Sequence, residues 1–229
     1  MSIAAEPEAA MTEARIELYG YWRSSASYRV RMALNLKGLA YEIHPVHLVR
    51  GGGEQRQAKF LALNPQGLVP CLVHGDTVLT QSLAIIEYLD ECFPDSPLLP
   101  ETAVDRARAR IIAQAIACDL HPLNNLRVLH YLGNTLGLDQ PEQTAWYRHW
   151  TETGLRAVEA LLSNRTDAGA YCLGDQPGLA DCCLLPQVYN ARRFDCNLAG
   201  CDRILAICER LQADQRIRSA APENQPDAE

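Results

Sequence analysis

The spacing of apolar residues changes at a proline-punctuated segment, residues 95–100 (DSPLLP), and this change constrains the fold more than any other feature. Before the segment, short runs typical of strands alternate with runs that have helical spacing. After it, strand signals nearly vanish, and four stretches carry helical periodicity: residues 105–117, 146–162, 179–194 and 203–212. The sequence therefore predicts an α/β domain followed by an all-α domain.

The first half predicts strands and helices in the order β-α-β-α-β-β-α. Gly38 is predicted to end the first helix, and Pro45 favours an edge position for the second strand because proline cannot donate a ladder hydrogen bond. The predicted ranges are strand 16–21, helix 26–37, strand 41–48, helix 55–61, hairpin 68–73 with 77–79, and helix 82–91. This order predicts a four-stranded mixed sheet with helices packed on it.

The composition of the two chain ends sets the outer limits of the predicted domains. Both ends are small or polar and lack periodicity, which is typical of frayed termini. We predict a flexible extension at 1–14, an α/β domain at 15–94, a linker at 95–102, an all-α domain at 103–221 and a flexible tail at 222–229.

Charge and hydropathy exclude several classes of protein. The chain has 229 residues, 48% of them hydrophobic, and a net charge of −7. It can bury a core, but it lacks the basic balance that a general nucleic-acid binder needs against phosphate. No apolar run approaches the roughly 18 residues of a membrane span, and the first residues lack the basic and apolar regions of a signal peptide. We therefore expect a cytoplasmic protein that binds neither nucleic acid nor membrane.

The cysteines indicate thiols rather than disulfides or a metal site. There are nine, an odd number, and most lie in apolar stretches. No C-x-x-C occurs, and metal-ligand spacings with histidine are missing. We expect buried, reduced thiols and no bound metal.

Two predicted helix N-termini could bind an anion. Several hydroxyls crowd the strand-to-helix turn at residues 23–27 (RSSAS), where hydrogen bonds and the helix dipole would stabilise a thiolate or a carboxylate. At Thr80-Gln81-Ser82, Ser82 is predicted to be the N-cap of the next helix, and the exposed N–H groups there favour a carboxylate. Simple capping is the alternative explanation for Ser82.

A third feature is the Val69-Pro70 pair at the start of a predicted strand. A cis bond there would turn the Val69 backbone outward with its N–H and C=O available to a peptide-like ligand. An ordinary edge-strand proline is the alternative explanation.

The order of these features resembles that of the cytosolic glutathione transferases, and of their zeta class in particular. Five segments spread between about residue 16 and residue 221 carry the resemblance: SSASYRVRMALNLKG, ALNPQGLVPCL, LTQSLAIIEYLDE, HPLNNLRVL and GLADCCLLPQVYNARRF. The resemblance implies a thioredoxin-like N-terminal domain that binds glutathione and an all-α domain that binds the co-substrate.

The resemblance also implies a set of glutathione-binding residues. Val69 would pair its backbone with the cysteinyl unit, ahead of a cis Pro70, and Gln55 would reach toward the glycyl end. Gln81 and Ser82 would hold the γ-glutamyl carboxylate. The remaining implied residues are Ser24 and Ser25 at the turn, and His121, Asn125 and Arg127 in the second domain.

The chain departs from the family pattern at two positions. Where the family has Ser-Ser-Cys, this sequence has Ser24-Ser25-Ala26, so a mechanism that uses a side-chain thiol there is in doubt. Ser24, with Ser25 as the alternate, remains as the hydroxyl donor to the glutathione thiolate. Gly178 stands where the family usually has Thr or Ser as a helix cap, a change worth only a few tenths of a kcal/mol.

Arginines are the candidates for gripping a substrate carboxylate or a developing oxyanion. They are Arg23 in the turn, Arg127 in HPLNNLRVL and Arg193 in ARRF, with a surface or interdomain ion pair as the alternative for each. Asp181, within LADCCLL, is interpreted as a folding determinant rather than a catalytic acid.

The activity implied by the resemblance is glutathione-dependent cis–trans isomerisation of maleylacetoacetate by reversible thiolate addition to the double bond. Isomerisation of maleylpyruvate and transfer reactions on α-haloacids are alternatives within the family. A non-catalytic glutathione-binding protein is an alternative from another class. The resemblance further implies a homodimer.

Overall fold

The structure is a computed structural model that describes residues 14–164 and 169–229. These residues form two compact units. The first unit comprises residues 14–98 together with Gln215–Glu229, and the second comprises the described part of Leu99–Asp214. The division after Leu98 falls within the predicted linker. The predicted N-terminal extension lies outside the described residues except for Ala14.

The first unit has the predicted order of strands and helices. Its elements are β1 Ile16–Gly20, α1 Ser25–Leu36, β2 Glu42–Pro45, two 3-10 turns at Arg50–Gly52 and Glu54–Arg56, α2 Ala58–Leu61, β3 Cys71–His74, β4 Thr77–Thr80 and α3 Ser82–Cys92. The sheet order is β2-β1-β3-β4. β1 pairs with β2 in parallel and with β3 antiparallel, and β3 pairs with β4 antiparallel. The mixed four-stranded sheet is confirmed, and β2, which carries Pro45, is an edge strand as predicted.

The core of the first unit follows from the periodicity of its elements. Ile16 and Leu18 of β1 are buried while Glu17 and Tyr19 are only half-buried, as expected for a strand with one covered face. α1 is buried on almost every side, and Gly38, with φ +69°, ends it as predicted. The helices α1 and α3 pack together, α3 through Ile85, Ile86 and Leu89 in its core-facing row.

The C-terminal segment of the chain belongs to the first unit, which differs from the predicted helical domain to 221 and flexible tail from 222. Helix α10, Gln215–Ser219, packs on α1, and a 3-10 turn follows at Pro222–Asn224. The buried Arg31 donates to the Ala220 carbonyl at 2.9 Å, and the Trp22 N–H donates to Asp227 Oδ2 at 3.0 Å. These bonds join groups about 200 residues apart, so the polar composition of the tail gave no sign of them.

The second unit is all-α in its described part, as predicted. Its helices are α4 Ala103–Gln114, α5 His121–Leu123, α6 Leu126–Asn134, α7 Gln140–Ser163, α8 Leu179–Arg193 and α9 Asp202–Ala213. A wider π-helical stretch, Ala115–Leu120, continues α4 into α5. Helices α5 and α6 were not among the predicted helical stretches, because they are short, with three and nine residues, and the pair Asn124-Asn125 separates them.

Asp181, in the first turn of α8, holds the start of that helix. It is only 1% exposed, and its two carboxylate oxygens accept the N–H groups of Cys172 at 3.0 Å and Gly178 at 2.9 Å. Burial raises the pKa of Asp181, and the backbone hydrogen bonds act in the opposite direction. These contacts agree with the interpretation of Asp181 as a folding determinant. Gly178, the N-cap, lacks a side chain, so only the Asp181 half of the capping interaction is made.

Among residues 14–164 and 169–229, no helix has both the length and the apolar character needed to cross a bilayer. The same residues contain no group of three or more His, Cys, Asp or Glu side chains arranged to hold a metal ion.

Candidate functional site

The turn between β1 and α1 places a serine hydroxyl at a helix N-terminus. Ser24 is the N-cap of α1, and its Oγ accepts the Ser27 N–H at 3.2 Å. Because Oγ is the acceptor in that bond, the hydroxyl hydrogen of the half-buried Ser24 can be donated outward. Ser25 is buried as the first residue of the helix, and Ala26 follows it half-buried. Ser24 is therefore the better placed of the two predicted hydroxyl donors.

The Val69-Pro70 bond is cis, as predicted. The β3 ladder begins at Cys71, so the Val69 N–H and C=O stand outside the strand pairing, and Val69 is half-buried. An extended ligand can add to a backbone at such a position by strand-like hydrogen bonds.

The start of α3 differs from the prediction, because the N-cap is Gln81 and not Ser82. Gln81 has φ +70°, and its side chain makes no capping hydrogen bond but donates to Gln66 Oε1 at 2.9 Å. Ser82 is the first helical residue, and its Oγ accepts from Arg29 Nη1 at 3.2 Å. Since no side chain caps the first turn of α3, its N–H groups and the helix dipole remain available to an anion.

Gln55 lies in the 3-10 turn Glu54–Arg56 and is only 7% exposed. Its Nε2 donates to the Leu48 carbonyl at 3.1 Å, whereas its Oε1 has no hydrogen-bond partner among the described residues. A Cβ at Gly53 would lie 2.6 Å from that oxygen, so Gly53 leaves the space that the Gln55 amide fills. Such an oxygen can accept a hydrogen bond from a ligand or from a water.

Arg23 is half-buried beside Ser24, with its guanidinium 5.2 Å from the centroid of the Trp22 ring. This cation–π contact holds the charge next to the turn.

The second unit holds the other predicted residues. Asn125 is the N-cap of α6, and its Oδ1 accepts the N–H of Arg127, whose side chain is exposed. His121 is half-buried at the start of α5. Arg193 ends α8, where it donates to Asn190 Oδ1 at 3.1 Å and lies 5.2 Å from the centroid of the Phe194 ring.

Tyr147 of α7 connects the segments that carry Arg127 and Arg193. Its ring stacks on Phe194 with centroids 3.7 Å apart, and its carbonyl accepts from Asn124 Nδ2 at 3.3 Å. Asn124 also donates to Thr151 Oγ1 at 2.9 Å. Both predicted arginine segments of this unit are therefore fastened to the same helix.

Sequence reasoning missed Arg29 and Asn124. Arg29 stands one position before Val30 and four before Ala33, so it borders the apolar face that the periodicity identified, and a charge there could have been noticed. Asn124 gave no signal of its own, because its partners lie on a helix 23 and 27 residues away.

The chain is similar to known proteins over most of its length. Residues 23–92 match the family model described as glutathione S-transferase, N-terminal domain. A relative from Vibrio cholerae, named probable maleylacetoacetate isomerase, is 52% identical over 92% of this chain and 97% of its own.

Two solved structures are similar over nearly the whole chain. One is a holo maleylpyruvate isomerase, described as a bacterial glutathione S-transferase of the zeta class, with 46% identity, a TM-score of 0.90 and coverage of 93% of this chain and 100% of the other. The second is maleylacetoacetate isomerase from Methylobacterium extorquens AM1 with bound malonate and glutathione, with 43% identity, a TM-score of 0.89 and coverage of 93% and 99%.

The chain belongs to the glutathione S-transferase family, in its zeta class. The predicted fold class is thereby confirmed. Within that class, the relatives reported above carry the names of two isomerases of maleyl compounds.

Proposed function

We propose that this protein is a maleylacetoacetate isomerase, which converts maleylacetoacetate to fumarylacetoacetate with glutathione as cofactor. The observation that carries the proposal is the Ser24 hydroxyl, which caps α1 through its oxygen and keeps its hydrogen for an anionic sulfur. The identity of 52% to a probable maleylacetoacetate isomerase supports the choice of substrate.

The residues of the first unit fit glutathione. The uncapped first turn of α3, with Gln81 and Ser82, suits the γ-glutamyl carboxylate, because backbone N–H groups and a helix dipole favour negative charge. The Val69 backbone suits the peptide of the cysteinyl unit. The unpartnered Oε1 of Gln55 can accept an amide N–H of the glycyl end, and its Nε2 has a second hydrogen to donate.

Glutathione, when bound, supplies a thiolate that adds reversibly to the cis double bond and leaves it trans. The task of Ser24 is to hold a negative sulfur by a charge-assisted hydrogen bond at the positive end of α1. Ser25 is the alternate donor. Ala26 cannot contribute a thiol, so we assign no step to a cysteine side chain of this turn.

Arginines are proposed to bind the substrate carboxylates and the negative charge that develops on the substrate. A guanidinium presents two N–H groups in the plane of a carboxylate and stays charged at all working pH values. Arg127 is exposed at the start of α6, and the guanidinium of Arg23 lies against the Trp22 ring, next in sequence to Ser24. Arg193 is the third candidate. His121 and Asn125 are proposed as further polar contacts of the ligands, with Asn125 also serving as the N-cap that orients the Arg127 backbone.

The test is an isomerase assay on the purified protein. We expect maleylacetoacetate to be converted to fumarylacetoacetate only when glutathione is present, with no net consumption of glutathione. Heat of glutathione binding without turnover of any maleyl compound would replace the proposal with a non-catalytic binding function. Absence of both heat and turnover would remove the glutathione site as well.

Maleylpyruvate isomerase is the second candidate, favoured by the TM-score of 0.90 and 46% identity to a zeta-class protein of that name. Turnover of maleylpyruvate without turnover of maleylacetoacetate would move the assignment to this activity.

We also propose a cytoplasmic homodimer. The nine cysteines are an odd number and six of them are buried, as is common for reduced thiols of cytoplasmic proteins. The dimer rests on membership of the family, and light scattering should give twice the chain mass of 25.4 kDa. A mass equal to one chain would contradict it.

A further inference from the structure

A buried arginine supports the residue proposed to bind the γ-glutamyl carboxylate. Arg29, in the second turn of α1, is only 2% exposed, and its Nη1 donates to Oγ of Ser82 at 3.2 Å. Ser82 is itself only 6% exposed and is the first residue of α3. The two residues are 53 positions apart in the sequence, so the contact is a product of the packing of α1 against α3.

The direction of this hydrogen bond is fixed by chemistry. A guanidinium has only donors, so Ser82 Oγ must be the acceptor, and the hydroxyl hydrogen of Ser82 must be directed away from Arg29. The positively charged Arg29, which donates to this oxygen, also polarises the O–H bond of Ser82. The hydroxyl hydrogen is then a stronger donor to whichever acceptor follows in the series of hydrogen bonds. Ser82 accepts from Arg29 and is thereby set as a donor toward a ligand.

The position of Ser82 indicates what the next acceptor is. It opens a helix whose N-cap, Gln81, makes no side-chain capping bond, so the Gln81 side chain does not occupy the N–H groups of the first turn. A carboxylate offers two oxygens, one for the backbone N–H groups and one for a hydroxyl.

We propose that Arg29 is a positioning residue for the α-carboxylate of the γ-glutamyl unit, acting through Ser82. It fixes the Ser82 hydroxyl as a donor and places a buried positive charge behind it. This inference rests on the proposed assignment of Ser82 to the γ-glutamyl carboxylate. Arg29 would then contribute to specificity without contact with the ligand, because it strengthens the preference of the site for a ligand that carries this carboxylate.

Arg31 provides the matched control. It is also 2% exposed and lies two residues further along α1. Its recorded hydrogen bonds go to the backbone carbonyls of Ala220 and Trp22, both at 2.9 Å, and to that of Tyr21. A substitution of Arg31 therefore perturbs a buried arginine of the same helix and leaves the Arg29 donor to Ser82 in the sequence.

The experiment compares two ligands by calorimetry: glutathione, and 4-aminobutyryl-cysteinyl-glycine, which lacks only the γ-glutamyl α-carboxylate. The measured quantity is the ratio of their Kd values, which we call the carboxylate preference. In Ser82→Ala and in Arg29→Met, we expect the preference to fall about tenfold, the scale of one charge-assisted hydrogen bond. In Arg29→Lys the loss should be smaller, because an ammonium can still donate to Ser82. The double variant, Ser82→Ala with Arg29→Met, should lose no more of the carboxylate preference than the more affected of the two single variants.

Each outcome decides between the ideas. If Arg29→Met weakens both ligands equally, as we expect of Arg31→Met, Arg29 is only structural and the inference fails while the assignment of Ser82 stands. If Ser82→Ala keeps the full carboxylate preference, the Ser82 assignment and the inference fail together. Should Arg29→Met not fold, as judged by circular dichroism, Arg29→Gln, which removes the charge and keeps a polar side chain, decides: an unchanged preference overturns the inference, and a reduced one supports it.

Discussion

Replacement of Asp181 by alanine tests how the second unit is held together. The carboxylate accepts the N–H of Cys172 on one oxygen and that of Gly178 on the other. Cys172 is buried, so its N–H would be left without an acceptor in Asp181→Ala, at a cost of about 1–3 kcal/mol. Gly178 is half-buried, and water can replace the lost oxygen there at a cost of about 1 kcal/mol.

One effect acts in the opposite direction. Burial raises the pKa of Asp181, which means that the buried charge itself costs free energy that alanine removes. The two lost hydrogen bonds alone would cost about 2–4 kcal/mol, and removal of the buried charge reduces that cost, so we expect Asp181→Ala to lower the free energy of unfolding by about 1–3 kcal/mol, against the roughly 5–15 kcal/mol that holds a domain folded. Asp181→Asn should lose about half as much free energy of unfolding. In the wild type the two N–H groups bind different carboxylate oxygens, and an amide has only one oxygen to accept one of them.

The raised pKa also sets the sign of a pH effect. A carboxyl whose pKa is higher in the folded state contributes most stability below its ordinary value of 3.8, and that contribution is lost as the pH rises through the raised pKa. The advantage of the wild type over Asp181→Asn should therefore shrink as the pH rises from below 3.8.

Urea denaturation followed by circular dichroism measures these differences, and the isomerase rate per folded molecule is measured alongside. We expect the rate of the folded fraction to stay close to that of the wild type. A variant with normal stability and a rate reduced a hundredfold would show that Asp181 is a catalytic acid, contrary to our reasoning.

Three further predictions concern the site and the thiols. Ser24→Ala should lower kcat by about 10²-fold, the loss expected for one preorganised donor, and a full rate measured under saturating glutathione would clear Ser24 of this role. Arg127→Ala should mainly raise KM for the diacid substrate, and an unchanged KM in steady-state kinetics would return Arg127 to a surface role. In a native thiol titration at about pH 8, the exposed Cys118 should react first. Burial raises the pKa of Cys71 to about 11, that of Cys208 to about 12, and that of Cys172 well above the ordinary value of a thiol. These three thiols should therefore react only after unfolding. Rapid labelling of any of these three in the folded protein would contradict the buried core.

The fold was predictable where the pattern is local. Alternation in β1 and the helical spacing of α1 each follow from neighbouring residues, and the edge position of β2 follows from a single proline. The positions of the tail and of Asn124 depend instead on hydrogen bonds to residues far away in the sequence, and apolar periodicity carries no record of them.

The candidate site shows the same division. The cis bond at Val69-Pro70 was expected, and it was found. The prediction that Ser82 is the N-cap was wrong. Local preference favours serine at that position, but the Ser82 oxygen accepts a hydrogen bond from the buried Arg29. A capping preference worth about 1 kcal/mol yields to a charged partner supplied by another helix.

Ala26 has a consequence for the lifetime of the enzyme. Maleyl compounds are electrophiles that alkylate cysteine, so a thiol beside the turn could be consumed by the substrate that the enzyme processes. Here that position offers a methyl group, and in the proposed reaction the sulfur that adds to the alkene belongs to glutathione, which can dissociate and be replaced. An irreversible alkylation would therefore consume one molecule of an exchangeable tripeptide and would leave the polypeptide unmodified at this turn.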